Sequence, residues 1–125
     1  MLLFLSLGIN AVFCNVLLKP VVGRMRPYDL LEYEIFVQRL SDSSFPSGHT
    51  SAAFAAATGL YFMNKKWGIG AYIFAVCMGF SRLYLGVHFP TDVLAGAFLG
   101  WLAGKLAIFI YKKMHFVKKK SSVLK

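Results

Sequence analysis

Four long apolar stretches occupy most of this 125-residue chain and limit its fold more than any other feature. They cover residues 2–18, 47–63, 68–86 and 90–111. At 1.5 Å per helical residue, stretches of about 17–22 residues reach roughly 25–33 Å, which matches the ~30 Å hydrocarbon core of a bilayer. None of them shows the pattern of apolar and polar residues that a barrel strand or a surface helix would have. The sequence therefore predicts an all-α integral membrane bundle with four transmembrane helices.

Composition supports this class. Hydrophobic residues make up 58% of the chain and charged residues only 15%, whereas about a quarter of a soluble domain is charged. Four buried helices of a soluble protein are the alternative, but four such spans leave almost no chain to cover them. The first span lacks the basic start of a signal peptide and is expected to be retained. Cys14 and Cys77 lie within spans, so neither a disulfide nor a metal site is expected.

Basic residues divide the chain into two faces. Lys65 and Lys66 separate the second and third spans, and six more lysines follow the fourth. Because lysine-rich connections stay in the cytoplasm, residues 1–112 are predicted to form the transmembrane domain and residues 113–125 a basic cytoplasmic tail. Every arginine and every acidic residue falls on the extracytoplasmic face. The net charge of +9 is assigned to topology and lipid contact rather than to nucleic-acid binding, because no aromatic-interleaved basic stripe is present.

Three polar clusters interrupt the apolar chain at the ends of its spans. They are residues 19–27, 46–49 and 81–92. Since consecutive spans cross the membrane in opposite directions, all three clusters are predicted to meet on the extracytoplasmic face. Together they supply cations, two histidines, a carboxylate and a helix N-terminus. These groups are suited to bind a phosphate and to transfer it by way of a histidine.

Each cluster also has a simpler interpretation. Lys19 and Arg26 are able to serve as interfacial anchors, although anchoring explains poorly why cations gather on the face where positive charge is disfavoured. Backbone N–H groups at Ser47, Gly48 and His49 are predicted to face an anion; the alternative is an ordinary helix start. Arginine also suits the helix C-terminus where the third cluster places Arg82.

The last two members of the third cluster point more directly to chemistry. His88 precedes a proline, and Asp92 falls in the first predicted turn of the fourth span. A carboxylate at this spacing is able to hold the imidazole in one tautomer. Ionisable groups at span ends in such a cluster indicate a functional site.

The order of the motifs is Lys-x6-Arg-Pro, Pro-Ser-Gly-His and Ser-Arg-x5-His-x3-Asp, over residues 19–92. This pattern resembles the type 2 phosphatidic acid phosphatase family, also called lipid phosphate phosphatases, which shares its site with vanadium haloperoxidases. The resemblance implies that His88 is the nucleophile, that Asp92 orients it, and that His49 is the acid and then the base. It implies phosphate binding by Lys19, Arg26, Ser47, Gly48 and Arg82, with no metal and no cofactor.

Family members usually have six spans, with the motifs in the last four, so this chain resembles the C-terminal part of that fold. A fragment lacking two N-terminal helices, a misplaced start and a minimal version are all consistent with this. A lipid phosphate is the expected substrate, with undecaprenyl diphosphate as the leading candidate in a bacterial plasma membrane, followed by phosphatidylglycerol phosphate and phosphatidic acid. A phosphotransferase using an acceptor other than water, and a non-catalytic lipid-binding protein, are the alternatives.

Small residues recur along the fourth span. Gly96, Gly100 and Gly104 are four residues apart, so they share one helix face. Such spacing lets helix backbones approach closely in lipid. Packing within one subunit is the favoured interpretation, and a homodimer through this glycine face is the alternative.

Overall fold

The structure, a computed structural model, describes residues 1–125 and contains helices but no strands. Its first helix is continuous over residues 2–22, although its middle widens to π-helical geometry. In order, the elements are α1 (Leu2–Ala11), the π-helical segment Val12–Leu18, α2 (Lys19–Val22), α3 (Pro27–Leu30), α4 (Gly48–Met63), α5 (Lys65–Tyr84) and α6 (Pro90–Val123). The predicted all-α bundle of four long helices is confirmed.

Helix α4 lies at the centre of the bundle. It packs against α5, α6 and the first helix, and α1 also packs against α6. Only Asn64 separates α4 from α5, and its side chain caps the N-terminus of α5 by accepting hydrogen bonds from the backbone N–H groups of Lys66 and Trp67. This central position brings the N-terminus of α4 between the ends of its neighbours.

The seam between α4 and α6 is formed by the glycine face of α6. A Cβ atom on Gly100 would lie 2.1 Å from the carbonyl oxygen of Ser51, and one on Gly96 would lie 2.7 Å from that of Ser47. A Cβ atom on Gly104 would lie 2.5 Å from the side chain of Thr58. The glycine face is therefore buried within the chain, and the alternative of a homodimer through these residues is wrong because no surface remains there for a second copy.

Large apolar side chains point outward, and small ones fill the interior. Phe4, Val21 and Leu94 are 82%, 83% and 71% exposed, whereas Ala55 and Ala107 are fully buried. This inside-out distribution is what lipid-facing helices require. By length and composition, the segments Leu2–Leu30 and Pro90–Val123 are able to cross a membrane. The chain is accordingly described as an integral membrane protein.

The segment after α3 and the end of α6 differ in regularity. Helix α3 ends at Leu30, and residues 31–47 form an irregular segment, here called the outer loop. Helix α6 does not stop at residue 111 but continues through the lysines to Val123. The basic tail is thus largely helical, because lysine is a good helix former and nothing interrupts the turn pattern.

Candidate active site

The three polar clusters converge at one end of the bundle. Arg26 donates from NH1 to the carbonyl oxygen of Val87 at 3.0 Å, although 61 residues separate the two. The backbone N–H of Ser47 donates to the carbonyl oxygen of Asp92 at 3.0 Å. These contacts join the end of the first helix, the start of α4 and the α5–α6 connection, as the alternation of spans predicted.

Asp92 is the most deeply buried acid of this site, with no exposed surface. It lies in the first turn of α6, where the backbone N–H of Phe89 donates to Oδ2 at 2.7 Å. Arg24 donates from NH1 to Oδ1 at 2.9 Å, and the hydroxyl of Ser44 donates to Oδ2. A buried carboxylate needs such partners, since an unpaired charge is costly to bury.

His88 is oriented mainly by a backbone carbonyl. Its Nδ1 lies 2.8 Å from the carbonyl oxygen of Ser44 and 3.6 Å from Oδ2 of Asp92. A carbonyl only accepts, so Nδ1 carries the proton, and Nε2 is left with a lone pair. That nitrogen lies 3.4 Å from NH1 of Arg26. The tautomer is thus the one a nucleophilic Nε2 requires, and Asp92 supports it from just beyond hydrogen-bond distance.

The environment of His88 keeps its imidazole neutral. Burial and the nearby Arg26 guanidinium lower the pKa from 6.5 to about 4, even though Asp92 and the hydrogen bond to Ser44 oppose the change. Burial penalises the charged form of a histidine, and a neighbouring cation adds to that penalty. At neutral pH the free Nε2 is therefore unprotonated.

The three expected phosphate-binding cations have different partners. Lys19 and Arg26 both form ion pairs with Asp42, a residue of the outer loop. Their side chains are only 11% and 2% exposed. Arg82 has no acidic partner, and its Nε is buried without a hydrogen bond. An orphaned guanidinium N–H is suited to an anionic oxygen.

The N-terminus of α4 is only partly free to bind an anion. The N–H of Ser47 is used by Asp92, and the Ser47 hydroxyl lies 2.9 Å from that of Thr50. The N–H groups of Gly48 and His49 have no partner within the chain. A Cβ atom on Gly48 would lie 3.7 Å from Nζ of Lys19, so the missing side chain keeps this approach open. Of the predicted backbone ligands, Gly48 fits better than Ser47.

His49 lies in the first turn of α4 and is exposed. Partial burial and the positive charges of Arg82, Lys19 and Arg26 lower the pKa of His49, although Asp42 opposes the change. An exposed imidazole at the rim of the cationic cluster is suited to exchange protons with a bound group and with water. No three His, Cys, Asp or Glu side chains converge anywhere in the chain to hold a metal ion.

Sequence reasoning gave no role to three residues of this end of the bundle. Ser44 accepts from His88 and donates to Asp92, so it links the two. Arg24 pairs with Asp92 and stacks its guanidinium 4.2 Å from the centre of the Phe89 ring. Asp42 pairs with two cations. Arg24 could have been found from the sequence, because it is a third cation in the first cluster. Ser44 and Asp42 could not, because they lie in an irregular loop whose path no periodicity predicts.

Comparison with known proteins agrees with this geometry. The sequence model of the PAP2 superfamily matches residues 1–116, so the chain belongs to that superfamily. It is 34% identical to the undecaprenyl-diphosphatase BcrC of Bacillus subtilis over 99 residues, which cover 79% of this chain and 51% of BcrC. It is 37% identical to the lipid A 4'-phosphatase of Bacteroides thetaiotaomicron over 109 residues, covering 81% and 48% of the two chains.

Solved structures show the same fold. The transmembrane PAP2 type phosphatidylglycerolphosphate phosphatase of Bacillus subtilis superposes with a TM-score of 0.73 at 35% identity, over 90% of this chain and 58% of that one. LpxE of Aquifex aeolicus gives a TM-score of 0.74 at 34% identity, over 86% and 65%. The chain spans about half the length of the curated relatives described above.

Proposed function

We propose that this protein is a membrane-embedded lipid phosphatase that works through a phosphohistidine on His88. One observation carries the proposal: a neutral imidazole, fixed through Nδ1 by the Ser44 carbonyl, turns an unprotonated Nε2 toward the buried Arg26 at 3.4 Å. A non-catalytic anion binder would need the cations but not this tautomer. The related phosphatases support the same reaction class.

In the first step, phosphoryl oxygens bind Lys19, Arg26, Arg82 and the N–H of Gly48. Nε2 of His88 attacks phosphorus, the P–N bond forms, and the bond to the leaving oxygen breaks. The bound phosphoryl group offsets the cations and favours a protonated His49, which gives this proton to the leaving oxygen. The phosphorylated ring gains positive character, which the nearby Asp92 carboxylate stabilises.

In the second step, water replaces the leaving group. The now neutral His49 takes a proton from water as the oxygen attacks phosphorus, and the P–N bond breaks. Phosphate leaves, and His88 returns to its neutral form with Nδ1 still bonded to Ser44. The cations stabilise the charge on the phosphoryl oxygens throughout, so the proposed reaction is independent of a metal ion.

The proposed substrate is the phosphate ester or diphosphate of a lipid, with polyprenyl diphosphates ahead of phosphatidic-acid-type lipids. Support comes from the exposed apolar surface around the site and from the undecaprenyl-diphosphatase relative. We place residues 1–112 in a bacterial plasma membrane with the site on the extracytoplasmic face. The lysine-rich end of α6, residues 113–125, is then cytoplasmic.

The test is phosphate release from undecaprenyl diphosphate and from phosphatidic acid by detergent-purified protein in the presence of EDTA. Wild-type protein is expected to release phosphate, and His88→Ala is expected to lose about 10³-fold or more of this rate. His115→Ala is the matched control, because His115 packs on Tyr111 in the lysine-rich part of α6, away from the clusters. Equal rates in the wild type and His88→Ala would refute the proposal.

A further inference from the structure

A carboxylate of the protein itself occupies part of the expected phosphate site. Oδ1 of Asp42 accepts from NH2 of Arg26 at 2.7 Å, and Oδ2 pairs with Nζ of Lys19. The backbone oxygen of Asp42 also accepts from Nε of Arg26 at 3.2 Å. Two oxygens of one anion thus span the same two cations that are expected to hold a phosphoryl group.

These contacts use the donors that a phosphoryl group would need. Nε and NH2 of Arg26 are engaged by Asp42, and NH1 is engaged by Val87 and His88. Only one of the five N–H donors of Arg26, the second hydrogen of NH2, is left for a substrate oxygen while Asp42 stays in place. Arg82, in contrast, has no anionic partner and a buried Nε without a hydrogen bond. Asp42 thus engages two of the three expected phosphate-binding cations and leaves Arg82 without an anionic partner.

Asp42 is placed so that its side chain is able to leave. Its neighbours in the outer loop are fastened: the hydroxyl of Ser43 accepts from the N–H of Arg24 at 2.9 Å, and the Tyr28 hydroxyl bonds to both backbone groups of Leu40. The Asp42 side chain itself is 48% exposed and borders a cavity of about 620 Å³. Lys19 and Arg26 line the same cavity. Rotation of the Asp42 side chain away from them, into solvent, would free both cations and let water solvate the carboxylate.

We propose that the Asp42 carboxylate is an internal competitor for the phosphate site, which sets the affinity of Lys19 and Arg26 for phosphoryl groups and for inorganic phosphate. This inference rests on the proposed function, since it takes these cations to be the phosphate ligands. A phosphoryl group that also engages Arg82 displaces the carboxylate, because a third cation adds to its attraction. When the product leaves, Asp42 returns and opposes rebinding, which limits product inhibition.

Hydrogen bonds from Lys19 and Arg26 support this assignment. Although burial alone raises the pKa of Asp42, these bonds and the two positive charges outweigh burial and leave the pKa below its ordinary value. Asp42 is thus an anion at neutral pH. It competes as a charged group, and a neutral amide of the same shape would compete much less well.

The experiment measures phosphate binding without turnover. Inorganic phosphate is titrated calorimetrically into detergent-purified wild type, Asp42→Asn and Asp42→Ala, each checked for monodispersity and thermal midpoint. We expect both variants to bind phosphate about tenfold more tightly. Asp29→Asn is the matched control, because it removes the same charge from a nearby residue whose partner is the exposed Arg39; its affinity should stay within about twofold of wild type.

Several outcomes would overturn the inference. Unchanged or weaker binding by both Asp42 variants would show that the carboxylate organises the cations rather than competing for them. An equal gain in Asp29→Asn would show a general charge effect. Hydrolysis that His88→Ala abolishes, together with unchanged phosphate affinity in the Asp42 variants, would refute this inference and leave the proposed function standing. If the Asp42 variants bind phosphate more tightly but the wild type hydrolyses no lipid phosphate, the competition by Asp42 would stand and the proposed function would be refuted.

Discussion

The α4–α6 seam and the polar end of the bundle are both tightly packed, but for different physical reasons. In the seam, glycine lets two backbones touch, as Gly100 does against Ser51. At the polar end, buried charged groups satisfy one another, as Asp92 does with Arg24 and Ser44. The seam depends on shape alone, whereas the polar end depends on donors and acceptors. Substitutions should therefore damage the two regions in separable ways.

The largest effect on stability is expected from Gly100→Ala. The added methyl group would meet the Ser51 carbonyl at 2.1 Å, so α6 must move away from α4. We expect a loss of about 3 kcal/mol in stability, seen as a lower thermal midpoint in detergent, together with lower activity because α4 carries Gly48 and His49. Gly70→Ala is the control, since nothing lies within 4 Å of its added methyl group. Equal midpoints for the two variants would contradict the role of the seam.

The next effect is expected from Arg24→Gln, which removes a charged donor from Asp92 without touching the phosphate ligands. We expect kcat to fall about tenfold with little change in KM, because a positioning contact rather than a binding contact is lost. Partial recovery by Arg24→Lys would support this interpretation. A rise in KM at constant kcat would instead place Arg24 among the substrate-binding groups.

A third prediction concerns pH. The folded protein holds the pKa of His88 at about 4, whereas the unfolded chain has the ordinary value of 6.5. The unfolded state therefore binds more protons between these values, and the contribution of His88 to stability is lost as the pH falls from about 6.5 to 4. Nitrogen chemical shifts should report a neutral His88 at pH 5.5. A ring that titrates near 6.5 would contradict the buried, cation-flanked environment.

The smallest effect is expected at the exposed edge of the same polar region. Arg39 and Asp29 pair at 3.3 Å with side chains that are 59% and 38% exposed. Exposed pairs contribute about 0.5 kcal/mol or less, so Arg39→Gln should leave the thermal midpoint and activity close to wild type. A loss of activity as large as that of Arg24→Gln would show that the exposed Arg39 matters as much as the arginine that pairs with Asp92.

The sequence predicted the elements that depend on local pattern. Apolar length predicted the four long helices, and lysine placement predicted that the clusters around Lys19, His49 and His88 meet at one end. Glycine spacing predicted a close helix contact but left its partner open, because either α4 or a second copy satisfies the same pattern. The structure assigns the contact to α4.

The detailed partners were less predictable. Asp92 was expected to orient the imidazole of His88, but the carbonyl oxygen of Ser44 lies closer to Nδ1. The N–H of Ser47 was expected to face phosphate, but it bonds to the backbone of Asp92. Both outcomes depend on the path of the outer loop, which has neither helical periodicity nor regular hydrogen bonding. Such a path is set by tertiary contacts that are distant in sequence.

The central claim is that His88 becomes phosphorylated during turnover, and it is tested most directly by trapping the intermediate. Wild type and His49→Ala are mixed with undecaprenyl diphosphate, quenched rapidly into base and examined by mass spectrometry of the peptide carrying His88. We predict a phosphoryl group on His88 of the wild type. In His49→Ala both the formation and the hydrolysis of this intermediate should be slower, because the variant lacks the acid of the first step and the base of the second. Hydrolysis that persists in His88→Ala, with no phosphoryl group on the wild-type peptide, would contradict the account.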